Sequence, residues 1–223
     1  MFSDLRAHES RRYSESGEDG ALEYLFDRLG HGGRYYVEFG ACDGFDRSNT
    51  ANLREHHGWT GLLMDGDPRG SDLVRREFVT AENIEALLVR YGVPRHFDLL
   101  SIDIDGNDYW VWDAIQSFRP RVVLIEYNVF FPLDTAVTVP YDPVRRWDTS
   151  TFHGASLAAL RKLGRAKGYS LVHTDSWAPN AFFVESSRLA LEDRDRPISD
   201  VASWVFDTTP RHLIDLSRQW VHV

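Results

Sequence analysis

Short apolar runs alternate with amphipathic stretches along this chain, and the runs stop at acids and glycines. "RYYVEFG" (34–40) is followed by "DRSNTANLREHHG", and "WTGLLMDGDP" by a short stretch near 69–75 that reads as a helix. "REFV" reads as a small third strand. "FDLLSIDIDG" then leads into a helix, and "PRVVLIEYN" supplies a fifth strand. Runs of continuous apolar content, rich in aromatic and β-branched residues, suit strands buried on both faces. Strands separated by helices at this spacing join through right-handed crossovers, so the expectation is an α/β domain with a mostly parallel sheet covered on both faces.

The remaining segments fit the same plan. "YSESGEDGALEYLFDRLGHGG" reads as a helix in which Ser16 can cap, Glu18 and Asp19 meet the positive end, and Leu22, Leu25, Phe26 and Leu29 share a face. Ser48 or Asn49 is the expected cap of the next helix, and "TAENIEALLVRYG" sets Ile84, Leu87, Leu88 and Tyr91 along one side. "GASLAALRKLGRAKG" is a later helix, "YSLVHTD" and "NAFFVES" the last two strands, and "RHLIDLSRQWVHV" a closing helix. Residues 129–152 contain three prolines and no period. Such a stretch in a compact domain is usually functional, and it is expected to form a lid or acceptor-binding loop. The chain is thus expected to be one domain over 1–223, with a helical cover at 1–32, the acceptor loop at 129–152 and a helical extension at 187–223.

Composition narrows the function. Hydrophobic residues make up 43% of the 223 residues and aromatics 13%, enough for a packed core. A formal charge of −9 with no stripe of Lys or Arg repels phosphate backbones, so nucleic acid is not an expected partner. Cys42 is the single cysteine, the first residues carry charges where a secretion signal needs an apolar stretch, and no apolar run is long enough to span a bilayer. The expectation is a cytoplasmic protein without a membrane partner, able to form a homo-oligomer.

In an open parallel sheet, ligands bind outside the carboxyl ends of the strands. Here those ends carry Glu38, Gly40, Asp43 and Gly44 on the first strand and Asp65, Gly66 and Asp67 on the second. Asp103 and Asp105 end the fourth, and Glu126 and Asn128 the fifth. A pyrophosphate wants bare N–H groups and a glycine-rich turn, whereas "GACDG" has one glycine too few and an acid in the loop. S-adenosylmethionine has no phosphate. Its ribose diol donates hydrogen bonds to carboxylates, and its ammonium and sulfonium are neutralised by them.

The ordered series "SGEDG", "VEFGACDG…SNT", "GWTGLLMDGD", "TAENI", "LLSIDIDGNDYWVW", "LIEYN", "HGASLAALRKLGRAKGY" and "NAFFV" resembles the Rossmann-like (class I) S-adenosylmethionine-dependent methyltransferases, and among them bacterial proteins of the FkbM type. The resemblance runs over roughly residues 13–185. It implies a seven-stranded sheet whose last strand is antiparallel. It also implies that Glu38, Gly40 and Gly44 line the methionine part of the cofactor and Asp65 accepts from the ribose. Asp67, Glu82 and Asn83 would lie near the adenine and Asp103 near the sulfonium. Without that resemblance, Gly40 and Gly44 are explained by a tight turn, Asn83 by a helix surface, and Ser16 to Asp19 by helix capping.

Methyl transfer to an oxygen requires the acceptor to lose a proton, to a carboxylate or imidazole or with the help of a divalent cation. Asp103, Asp105 and His153 are the candidate catalytic groups. "SIDIDGNDY" and "LIEYNV" resemble the strand ends that hold the ion in cation-dependent O-methyltransferases, which makes Asp103, Glu126 and Asn128 the candidate ligands for Mg²⁺ or another divalent cation. The match departs at Tyr127, where those enzymes have an Asp. Helix capping by Asp105, Asp108 and His153 is the competing explanation, with Glu126 held by a neighbouring N–H. In the acceptor loop, Tyr141, Arg145, Arg146 and Trp147 are the residues expected to meet a small-molecule acceptor, together with Phe130 and Phe131. The expected function is O-methylation of a small metabolite or sugar-containing acceptor. Two alternatives stand beside it: transfer or cyclisation of the cofactor's aminocarboxypropyl arm, and a non-catalytic ligand-binding module.

Overall fold

Residues 5–194, 196–202 and 214–223 are described in a computed structural model of the chain. Its main sheet consists of β1 (Tyr35–Phe39), β2 (Thr60–Asp65), β3 (Arg75–Arg76), β4 (His96–Ile102), β5 (Arg119–Glu126), β7 (Tyr169–Thr174) and β8 (Asn180–Glu185), in the order β3-β2-β1-β4-β5-β8-β7. All neighbours are parallel except β8, which is antiparallel to both β5 and β7. This is the Rossmann-like, mostly parallel sheet with an antiparallel last strand.

The pleat explains why the strands are apolar throughout. Side chains alternate between faces, and both faces are covered. Val37, Phe39, Leu100, Ile102, Val123, Ile125 and Phe183 pack on one side with α3 (Ile84–Arg90), α4 (Asp108–Ala114) and α5 (Leu157–Lys167). Tyr36, Leu63, Leu99, Val122, Leu124, Phe182 and Val184 pack on the other with α1 (Glu18–Leu29) and α2 (Ala51–His57).

Several local expectations are corrected. Residues 69–75 are turns and bends rather than a helix, because Arg69 and Gly70 take positive φ and Ser71 N–H closes a turn onto Pro68. The third strand is two residues long and ends before Phe78, whose carbonyl is taken by the Asn83 amide. Gly17, not Ser16, caps α1, and Ser16 N–H donates to Glu18 instead. Ser48 does serve the start of α2, accepting from Thr50 and Ala51 N–H.

The 129–152 loop is less irregular than its prolines imply. Val137–Thr138 (β6) pairs antiparallel with Val221–His222 (β9), and Val223 N–H donates to Ala136. The closing helix expected at 211–223 is therefore replaced by a strand in its described part. Residues 211–213 lie outside the described residues. β-Branched Val221 and Val223 suit that edge pairing. No described helix is long and apolar enough to cross a membrane.

Candidate functional site

One step beyond the paired residues, the strand register fixes a row. Phe39 pairs with Met64 on one side and Ile102 on the other, Ile102 pairs with Ile125, and Glu126 pairs with Asn180. The next position along each strand therefore sets Asp65, Gly40, Asp103, Glu126 and Asn180 side by side at the carboxyl edge, on the face shared with α1 and α2. All five line a cleft of about 640 Å³.

Gly40 is required by this crossing. Its φ is +74°, and a Cβ would lie 1.6 Å from the Asp103 carbonyl oxygen. Asp65 is aimed by the loop that follows Gly40, since its carboxylate accepts from Cys42 N–H (2.9 Å) and Asp67 N–H (2.6 Å). Asp67 lines the same wall and lies 3.5 Å from Arg76.

Asp103 and Asp105 reach the cleft because Asp108 folds the loop between them. The buried Asp108 carboxylate accepts from Ile104 and Gly106 N–H, both at 2.8 Å. Asp103 is half-buried and Asp105 exposed, with φ of +57°. Ligand atoms of Asp103, Asp105 and Glu126 all fall within 4.8 Å of one another. Burial, reinforced by this crowding of like charge, holds Asp103 and Glu126 well above the ordinary carboxylate range and raises Asp105 as well.

Glu126 Oε2 is buried with no hydrogen-bond partner among the described residues, and so is His153 Nδ1, 3.8 Å away. Burial lowers the His153 pKa, which favours the neutral ring. His153 does not cap α5. Ser156 does, accepting from Ala159 N–H. Nor is His153 among the cleft-lining residues, and its ring lies 5.8 Å from that of Trp147.

Other expected residues fall elsewhere. Glu38 is buried beneath the cleft, where it accepts from Asn49 N–H and the Ser48 and Thr50 hydroxyls and so anchors the start of α2. Gly44 makes a turn, with φ of +83° and its N–H on Ala41, and packs against Leu63 rather than lining the cleft. Asn83 closes a turn onto Thr80 and Phe78, and Glu82 accepts from Tyr141 OH, so neither is among the cleft-lining residues. Phe78 and Val79 occupy that wall instead. The Asn128 amide is consumed by Thr151 and His153 carbonyls and Phe130 N–H, which removes it from the proposed ligand set. Tyr141 latches the 129–152 loop to Glu82 and Ala81 N–H, whereas Arg145, Arg146 and Trp147 do line the cleft.

Asn49, Asn107 and Asn180 are residues the sequence reading missed. Each is buried at the cleft with its Oδ1 lacking a partner among the described residues. The signal for Asn180 was available: a strand that runs antiparallel begins, rather than ends, at the carboxyl edge of its neighbours.

Strand order and the single antiparallel strand define the fold of the class I methyltransferases. A solved S-adenosylmethionine-dependent methyltransferase from Clostridium acetobutylicum ATCC 824 is similar to this chain at 9% identity and a TM-score of 0.37, covering 73% of this chain and 87% of that one. No family model and no curated protein matches the chain.

Proposed function

We propose that the protein is an S-adenosylmethionine-dependent methyltransferase of the FkbM type, acting on an oxygen of a small metabolite or sugar-containing acceptor. The observation that carries this reading is the row of Asp65, Gly40, Asp103, Glu126 and Asn180 along one cleft wall. Its exposed chemistry is almost entirely that of hydrogen-bond acceptors, which suits a ligand bearing a diol, an ammonium and a sulfonium and disfavours one bearing phosphates.

When bound, S-adenosylmethionine supplies an electrophilic methyl group on a positively charged sulfur. The chain's own work is to place an acceptor against that methyl and receive its proton. Positioning of this kind is worth about 7–11 kcal/mol of a barrier. The loop carrying Arg145, Arg146 and Trp147 faces the strand row across the cleft and orients the acceptor. Asp103, Asp105 and Glu126 are the carboxylates that receive the proton, and their raised pKa brings them closer to the range where a general base works at neutral pH. His153 acts through Glu126, as a positioning residue.

The test is mass spectrometry on reactions with a panel of hydroxylated metabolites and sugar conjugates. S-adenosylhomocysteine and a product one methyl heavier are expected, and Asp103→Ala should lower turnover by about 100-fold or more. Methylthioadenosine as the product would instead establish aminocarboxypropyl chemistry. Cofactor binding without turnover of any acceptor would establish a ligand-binding module.

A further inference from the structure

We infer that Arg145 and Arg146 form an oxyanion subsite and that the acceptor is a hydroxylated compound bearing a carboxylate or a phosphate, an assignment that rests on the methyl-transfer reading. Among the described residues, four arginines line the cleft: Arg47, Arg69, Arg145 and Arg146. Arg47 pairs with Glu15 at 3.5 Å and Arg69 with Asp46 at 3.9 Å. Arg145 and Arg146 form no ion pair among the described residues, although Glu15, Asp65, Asp67, Glu77, Asp103, Asp105 and Glu126 line the same cleft. Two cationic groups are thus left for a ligand.

Aromatic rings hold them where carboxylates do not. Arg146 Cζ lies over the Phe78 ring, 5.2 Å from its centre, and Arg145 Cζ over the Phe152 ring at 5.3 Å. A ring steadies a guanidinium without accepting its N–H hydrogen bonds, so those donors stay available to an oxyanion. Arg145 Nη2 donates to the Pro140 carbonyl at 3.2 Å, while Nε is buried with no partner among the described residues. A buried charged group left so is costly, and an anion at this guanidinium offsets the cost.

The loop that carries the pair is braced from several sides. The Asp142 carbonyl accepts from the Asn107 amide at 2.8 Å and from Arg145 N–H at 3.0 Å, and Trp110 Nε1 donates to the Val139 carbonyl at 2.9 Å. Gly106 makes room for the Arg145 stem, since a Cβ there would lie 2.8 Å from Arg145 Cδ. Arginines held this way lose little freedom on binding. The cofactor's own carboxylate is a poor match for them. It lies at the far end of that molecule from the adenine, whereas Arg146 stands over Phe78, in the wall where the adenine is expected. Because the strand row opposite is acidic, attraction for an anion has to come from these two residues.

The experiment titrates matched compounds into the full chain by calorimetry, with and without saturating S-adenosylhomocysteine. Glucuronate and glucose 6-phosphate are each compared with glucose, and salicylate with salicylamide, so that the carboxylate and phosphate arms are read separately. At least one anion is expected to bind about tenfold or more tightly than its neutral counterpart. Arg145→Gln and Arg146→Gln should each remove most of that preference, whereas Arg75→Gln, on the exposed β3 outside the cleft, should leave it intact. If Arg145→Gln fails to fold, the exposed Arg146→Gln decides alone. Equal affinity within every pair, no binding of any anion, or a preference that survives the cleft substitutions overturns the subsite. So does an equal loss of S-adenosylhomocysteine affinity in those variants, which would assign the arginines to the cofactor's carboxylate. S-adenosylhomocysteine binding without any anion preference sinks the subsite alone, and an arginine-dependent preference without S-adenosylhomocysteine binding sinks the methyl-transfer reading alone.

Discussion

Gly40 and Gly168 both have positive φ, +74° and +86°, yet only one of them has a neighbour in the way. Gly168 is a left-handed helix cap where a Cβ meets nothing within 4 Å, so Gly168→Ala should cost only the left-handed penalty of about 1–2 kcal/mol. Gly40→Ala adds a collision with the Asp103 backbone and should cost about 3 kcal/mol or more. Urea denaturation of both variants checks the difference, and equal losses would mean that the β1 and β4 ends do not cross as described. At this scale the sequence was informative wherever a residue's role followed from its strand position alone. Asp65, Asp103 and Glu126 end strands, and the cleft gathers them. Glu38 was misjudged for a physical reason. It sits two residues before Gly40 on the same pleat face, and α2 covers it, a contact that depends on where Ser48 and Thr50 return in space. Glu82 and Asn83 were misplaced because the turn after β3 spends both side chains on itself and on the 129–152 loop.

Among the elements, the segment from Glu9 to Asp19 is strapped across the ends of β7 and β8. Glu9 accepts from Ser176 N–H and Oγ and pairs with His173 Nε2 at 2.8 Å, while Gly17 N–H donates to Asp175 at 2.9 Å. Glu18 is fully buried in this strap, holding Ser16 N–H and the Asn180 amide, and burial together with the nearby Asp175 charge raises its pKa from 4.5 to about 7. Between those values the folded protein holds a proton that the unfolded chain has released. The contribution is therefore present in full below pH 4.5 and is lost as pH rises through about 7. Glu18→Gln should flatten this part of the stability profile, removing a fall on the order of 3 kcal/mol across that window. Chemical denaturation at a series of pH values reads it out, and unchanged slopes would contradict the buried placement. The helices and parallel strands were legible because each carries its own period and its own stop. The strap was not, since its partners lie more than 150 positions away, as in the 158-residue separation of Gly17 and Asp175.

For the whole molecule, the described end of the chain returns to brace the 129–152 loop. β9 pairs with β6, Lys162 Nζ reaches the Val223 carbonyl at 2.6 Å, and Trp220 stacks edge-on against Phe131 and Phe152 at 4.6 and 4.7 Å. Trp220→Ala should raise amide exchange in residues 129–139 and 150–153 by about tenfold while leaving β1 and β4 protected, as hydrogen exchange with mass spectrometry would show. Uniform loosening, or none, would contradict a local brace. This pairing escaped the sequence reading because two-residue strands carry no period, and their register is set only by partners far along the chain. All of the proposed chemistry depends on the acceptor-rich row of strand ends binding a cationic nucleoside. Calorimetric titration with S-adenosylmethionine and S-adenosylhomocysteine tests it most directly. One-to-one binding, weakened about tenfold or more by Asp65→Ala, is the predicted result. Absence of saturable heat with either compound, or full affinity in Asp65→Ala, would contradict it.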